Sequence, residues 1–272
     1  MKSLKELLEN DYLNELKNCK DSAAASDLAS QNPSPQVKCP LCLDRGIILK
    51  DDVAYPCSCM QQKKMENQFR HARMARGLLN CRFENFRQNY YRSSYSEDRS
   101  YLESALKALN ASQEFVHACE NDTHGLGILF TGPVGSGKTF LAAAIANALM
   151  EQDKSVLFLV VPDLLDELRA TYKSQSNELD LLDSAREIPI LILDDLGAHN
   201  YTEWTRNRIY SILNYRLNEE LPTVITSNLS LGEMEEYLGA RTTSRIIQSC
   251  RIFKISVNED IRGQIYKERE KK

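Results

Sequence analysis

The chain has 272 residues, with 34 basic and 38 acidic side chains for a formal net charge of −4, enough for one α/β domain and a smaller module. The slight acidic excess rules out a protein coated in nucleic acid by bulk electrostatics, so any such contact is expected to be local. The first residues mix Lys and Glu with Leu and hold no uninterrupted apolar run, which excludes a signal peptide or membrane span there and points to a cytoplasmic protein.

In chain order, residues 2–18 place Leu4, Leu7, Leu8, Leu13 and Leu16 near helical spacing, predicting a short amphipathic helix. Ser22 to Gln36 is rich in Ala, Ser and Pro and reads as a linker. Cys39, Cys42, Cys57 and Cys59 follow as C-x2-C, a 14-residue gap and C-x-C. Two such pairs suit a closed tetrahedral thiolate site for Zn²⁺ with a structural role, the alternatives being an iron–sulfur cluster or unligated thiols. Between the pairs, Gly46 to Tyr55 reads as a hairpin turning at Asp51–Asp52. A segment this small needs such a staple to fold. Cys19, Cys81, Cys119 and Cys250 are scattered, and His71, His117, His124 and His199 form no ligand spacing.

Met60 to Leu79 looks helical and locally basic, with Lys63, Lys64, Arg70, Arg73 and Arg76 against Glu66. It reads equally as a phosphate-tracking face or a solvated one. After a turn-prone, Tyr-rich stretch, Ser96 to Cys119 predicts another helix. Apolar runs at 125–130, Val156–Val161, Ile188–Leu193, Thr223–Thr226 and Ile252–Val257 alternate with helical segments, the pattern of a five-stranded parallel sheet covered on both faces.

Gly132, Pro133, Val134, Gly135, Ser136, Gly137, Lys138 and Thr139 match G-x-x-x-x-G-K-[ST] between a predicted strand and a predicted helix that continues with Phe140. Glycines let backbone N–H groups turn inward around the phosphates of ATP, Lys138 reaches the β and γ phosphates, and the Thr139 hydroxyl ligates Mg²⁺. Ile190 to Asp195 is a buried strand ending in two carboxylates. Asp194 would hold the Mg²⁺ shell, and Asp195 lies where a base or water-orienting group belongs. Many ATPases of this type carry Glu at the second position, so the shorter Asp195 predicts slow turnover. Asn228 ends the run Thr223–Asn228 and would orient the attacking water or open a turn.

Beyond these motifs, Glu203–Trp204, Ile212–Arg216, Leu221–Leu229 and Leu238–Ile246, with Arg82–Phe86 ahead of them, resemble the running signature of the AAA+ ATPases of the DnaC/DnaI helicase-loader and IstB transposition-helper group. The resemblance covers residues 82–265. It implies that Arg245 is an arginine finger delivered to a neighbouring subunit's site, with Arg241 as the alternative, so that hydrolysis depends on self-association. Arg262 resembles the second sensor arginine, although Ile261 stands where the group usually has an aromatic. Only about 15 residues follow Val257, too few for a helical lid, so the core is expected to be lidless, as in this group.

The organisation implied is a helicase-interaction region over 1–62 that contains the zinc module at 39–59, a basic helix and linker over 63–95, and an ATPase domain over 96–272. The cysteine module separates the two nearest functions, since IstB-type helpers generally lack one and DnaI-like loaders carry one. The expected function is therefore ATP-dependent delivery of a hexameric DnaB-type replicative helicase onto single-stranded DNA. The alternatives are a transposition helper on duplex DNA and a nucleotide-dependent adaptor with little hydrolysis.

Overall fold

The computed structural model describes residues 39, 41–42, 47–50, 53–57, 72–92, 99–121, 126–170, 175–198 and 201–270. The helix expected over 2–18, the linker after it, Cys59 and residues 60–71 of the basic segment lie outside them. Two units are distinguished, Met1–Cys57 and Ser58–Lys272.

In the first unit, β1 (Ile47–Lys50) pairs antiparallel with β2 (Val53–Pro56) in the register Ile47↔Pro56 to Lys50↔Val53. The pairing gives the expected hairpin strands, and the turn expected at Asp51–Asp52 lies outside the described residues.

The second unit is a five-stranded, all-parallel sheet in the order β4-β5-β6-β3-β7, formed by β3 (Gly127–Thr131), β4 (Val156–Val160), β5 (Ile190–Leu196), β6 (Thr223–Ser227) and β7 (Cys250–Lys254). Successive side chains on a strand face opposite ways. Ile128, Phe130, Phe158, Ile192 and Val224 therefore enter one core layer with α1 (Arg99–Glu120) and α2 (Lys138–Glu151). Leu129, Leu157, Leu159, Leu191, Leu193 and Ile225 enter the other. That second layer is closed by α3 (Val161–Ala170), α4 (Gln175–Glu187), α5 (Glu203–Asn218), α6 (Leu231–Leu238) and α7 (Ala240–Ser249). α2 is mostly apolar around its circumference because it packs between the sheet and α1; ten of its residues are buried.

Thr202 caps the N-terminus of α5, and a Ser230–Glu233 capping box starts α6. Arg216 on α5 is 1 % exposed. Its guanidinium donates to the carbonyls of Ala185, Arg186 and Ile188 around the end of α4, and to those of Pro189 and Pro222 at the entrances to β5 and β6. These helix-end carbonyls have no intrahelical donor, and Arg216 supplies it. Burial pulls its pKa down to about 9, which leaves it charged at neutral pH.

The last strand differs from expectation: it is Cys250–Lys254, displaced toward the N-terminus from Ile252–Val257. Gly127 pairs with Cys250, and Ile255 leaves the ladder while still donating its N–H to the Thr131 carbonyl. Among the described residues one helix follows, α8 (Ile261–Glu270). The helix expected to run to Leu79 is also absent over 72–79, where turns and a 3-10 helix at Arg76–Leu78 pack on the core instead. The carbonyl of Ala72 accepts from the Phe158 N–H of the edge strand β4, and Asn147 of α2 donates to the carbonyls of Leu78 and Cys81. No helix among the described residues is long and apolar enough to cross a membrane.

Candidate functional site

The carboxyl ends of β3, β5 and β6 open on a cavity of about 930 Å³, the position where open α/β sheets receive ligands. The loop from Gly132 to Gly137 joins β3 to α2. Gly132 has φ +141°, and a β-carbon there would collide with the Ile255 carbonyl; Gly137 has φ +91°, and one there would meet the Tyr91 hydroxyl. Both positions therefore exclude a side chain. Val134, Gly135, Gly137, Lys138, Thr139 and Phe140 line the cavity, while the exposed Pro133 and the buried Ser136 do not. Lys138 donates to the carbonyls of Gly132 at 2.9 Å and Pro133 at 2.7 Å. Burial lowers its pKa to about 8, assisted by the charge of Arg262 and opposed by Asp195 and Asp194.

Asp194 is 7 % exposed at the end of β5. Its Oδ1 accepts from the Thr139 hydroxyl at 2.9 Å and from the Thr226 hydroxyl at 2.6 Å. Burial raises its pKa, and those hydroxyls and Lys138 restrain the rise. Two adjacent oxygens from Thr139 and Asp194 are the hard donor type that Mg²⁺ takes. Asp195 also lines the cavity, in a left-handed backbone conformation with φ +60°, and its carboxylate accepts from the Asn228 side-chain amide at 2.8 Å. The expected water-orienting Asn228 thus holds Asp195 directly.

Arg262 lines the cavity from α8, and its backbone N–H donates to Asp260. Arg245 does not line it. From α7 its guanidinium donates to Gln248, and Arg241 is exposed on the same helix.

Several lining residues escaped the sequence reading. Phe86 and Tyr91 stack with centroids 5.2 Å apart, and with Leu78, Phe140, Ile261 and Ile265 they make one end of the cavity apolar. The Tyr91 hydroxyl donates to the Ser136 carbonyl of the loop at 3.0 Å. Tyr90 and Arg87 both donate to Glu268 of α8. The Arg82–Phe86 box carried a partial signal for this wall, whereas Tyr90, Tyr91 and Thr226 have no local spacing to mark them.

In the first unit, the sulfurs of Cys39, Cys42 and Cys57 lie within 4.8 Å of one another, with Cys39 and Cys57 3.8 Å apart. Thiolates bound tetrahedrally at about 2.3 Å sit roughly 3.8 Å apart, so the three sulfurs have the spacing of metal ligands.

The family model for IstB-like ATP binding proteins matches residues 59–272. The replicative helicase loader DnaI of Bacillus subtilis (strain 168) is 28 % identical over 263 residues, covering 90 % of this chain and 78 % of that protein. The replicative helicase loader DnaC of Escherichia coli (strain K12) is 29 % identical over 184 residues, covering 67 % of this chain and 69 % of that one. A crystal structure of DnaI superposes with a TM-score of 0.55 at 29 % identity, covering 69 % of this chain and 94 % of that one.

Proposed function

The chain belongs to the family of IstB-like ATP binding proteins, and we propose that it is a cytoplasmic, ATP-dependent loader that binds a hexameric DnaB-type replicative helicase and delivers it onto single-stranded DNA. One observation carries this choice within the family. The likeness to DnaI spans 90 % of the chain, more than residues 59–272 can hold, so it reaches into the region of the cysteine module. An ATPase core shared with transposition helpers would not need that reach.

In this reading ATP lies with its base against Phe86, Tyr91 and Phe140 and its phosphates along the loop from Gly132 to Thr139. Lys138 exchanges the carbonyls of Gly132 and Pro133 for the β and γ phosphates. Thr139 and Asp194 hold Mg²⁺, which when bound neutralises charge on the phosphates. Asp195, oriented by Asn228, aligns the attacking water. Arg262 faces the phosphates from within the chain. Arg245, which does not line its own cavity, supplies the finger to a neighbouring subunit, so hydrolysis is slow until copies assemble. Cys39, Cys42 and Cys57, with Cys59 as the fourth ligand, hold Zn²⁺ in a structural site within the helicase-binding region 1–62, followed by the connecting segment 63–95 and the ATPase domain 96–272.

The test mixes the full chain with the replicative helicase of its host, with ATP or ADP, and follows complex formation by size-exclusion chromatography and helicase arrival on a single-stranded oligonucleotide. An ATP-dependent complex that Arg245→Ala traps without delivering helicase is expected. Failure to bind the helicase in either nucleotide, together with ATP-dependent filaments on duplex DNA, would replace this reading with the transposition-helper one.

A further inference from the structure

We propose that Thr226 is a positioning residue for the hydrolysis assigned above, its one hydroxyl setting the carboxylate of Asp194 and the backbone of Asp195 together. The inference rests on the ATP-hydrolysis reading of the site and adds a residue to it.

A hydroxyl has one proton to donate and lone pairs to accept with. The Thr226 Oγ1 lies 2.6 Å from Asp194 Oδ1 and 2.9 Å from the Asp195 backbone nitrogen. The nitrogen is itself a donor, so the hydroxyl accepts there and its proton goes to the Asp194 carboxylate. Thr226 is 1 % exposed, so bulk solvent does not compete for either bond.

The strand register explains why such a group is needed. β5 and β6 pair as Leu193↔Ile225 and then as Leu196↔Ser227. Between these pairs two residues of β5, Asp194 and Asp195, stand opposite the single Thr226, a β-bulge. Neighbouring residues on a regular strand face opposite sides of the sheet, and a regular β5 would send one of the two carboxylates away from the cavity. The bulge brings both to it. It does so by turning Asp195 to φ +60°, unfavourable for a residue with a side chain. Its N–H then bonds the Thr226 side chain in place of the strand ladder. Thr226 thus fills the gap that the bulge opens, and on β6 it is held by the same strand that carries Asn228 at its end.

The test compares the full chain with Thr226→Val, which keeps the shape and loses the hydroxyl, and with Thr226→Ser, which keeps the hydroxyl. Two quantities are read: the affinity for a fluorescent ATP analogue with Mg²⁺ and with EDTA, and kcat and KM for ATP. In Thr226→Val, kcat and the Mg²⁺-dependent gain in affinity should fall about 10- to 100-fold, the usual effect of removing a group that orients a metal ligand, with Thr226→Ser within about threefold of wild type. Affinity in EDTA should stay near that of wild type in both. The proposal is overturned if Thr226→Val keeps its kcat and its Mg²⁺ response, or if serine fails as valine does. Should valine prevent folding, Thr226→Ala provides the same comparison with less steric demand. A wild-type chain that binds no ATP at all would overturn the ATP reading instead.

Discussion

Replacing Arg216 with Met should destabilise the fold while leaving the nucleotide cavity intact. The guanidinium lies within the sequence signature that marks the family resemblance, yet it lines no part of the cavity; it is buried among five backbone carbonyls and the Thr223 hydroxyl. Met fills the volume of the aliphatic stem and removes every donor. The shortest hydrogen bonds it deletes are those to the carbonyls of Ile188 at 2.6 Å and Pro222 at 2.7 Å, both charge-assisted. A buried carbonyl left without its donor costs about 1–3 kcal/mol, so losing these two bonds alone is expected to cost about 2–6 kcal/mol. For a domain of this size that corresponds to a melting point lower by roughly 10 °C. Differential scanning calorimetry of both chains measures the shift, and binding of an ATP analogue at low temperature measures the site. A melting point within about 2 °C of wild type, or lost binding in a variant that is fully folded, would refute the reasoning.

Four other outcomes are expected. Because Lys138 sits at about pKa 8, ATP binding at pH 8 should take up about half a proton and weaken as pH rises further, seen by titration calorimetry in two buffers of different ionisation enthalpy and absent in Lys138→Met. The same depressed value means that the unfolded chain holds more protons than the nucleotide-free fold between pH 8 and 10.5, so this group's contribution makes stability rise across that window. Tyr91→Phe keeps the stack on Phe86 and removes the donor to Ser136; since a trans peptide points its carbonyl and the following N–H in opposite directions, the Gly137 N–H loses its set orientation, and analogue affinity should fall about fivefold. Cys57→Ser should abolish metal content by elemental analysis and expose residues 39–57 to protease, with the melting point of the ATPase core unchanged.

The phosphate loop was legible because its meaning is local: eight consecutive residues between a strand and a helix suffice. Asp194 was legible for the same reason, as an acid ending an apolar run. Thr226 was not, since threonine in a strand is ordinary and its partners lie 31 and 32 residues away on a different strand. The bulge that places Asp195 beside Asp194 leaves no trace in the apolar pattern of β5. The wall formed by Phe86, Tyr90 and Tyr91 fell in a stretch that reads as turn-prone, and its 3-10 turns are stabilised by packing against α2 and α8, which no window of neighbouring residues reports. The last strand reads two residues late because Ile255 and Val257 continue the apolar alternation after the ladder has ended at Lys254.

Residues 72–92 run over the nucleotide cavity like a cable over a junction box, and they are clamped before they reach the terminals. A displacement arriving from earlier in the chain meets the Ala72–Phe158 backbone bond first, and then the grip of Asn147 on Leu78 and Cys81. Only after both does it come to Tyr91 and the carbonyl of Ser136. Bonds at 72, 78 and 81 thus tie this segment to β4 and α2 ahead of the bond by which Tyr91 holds the loop.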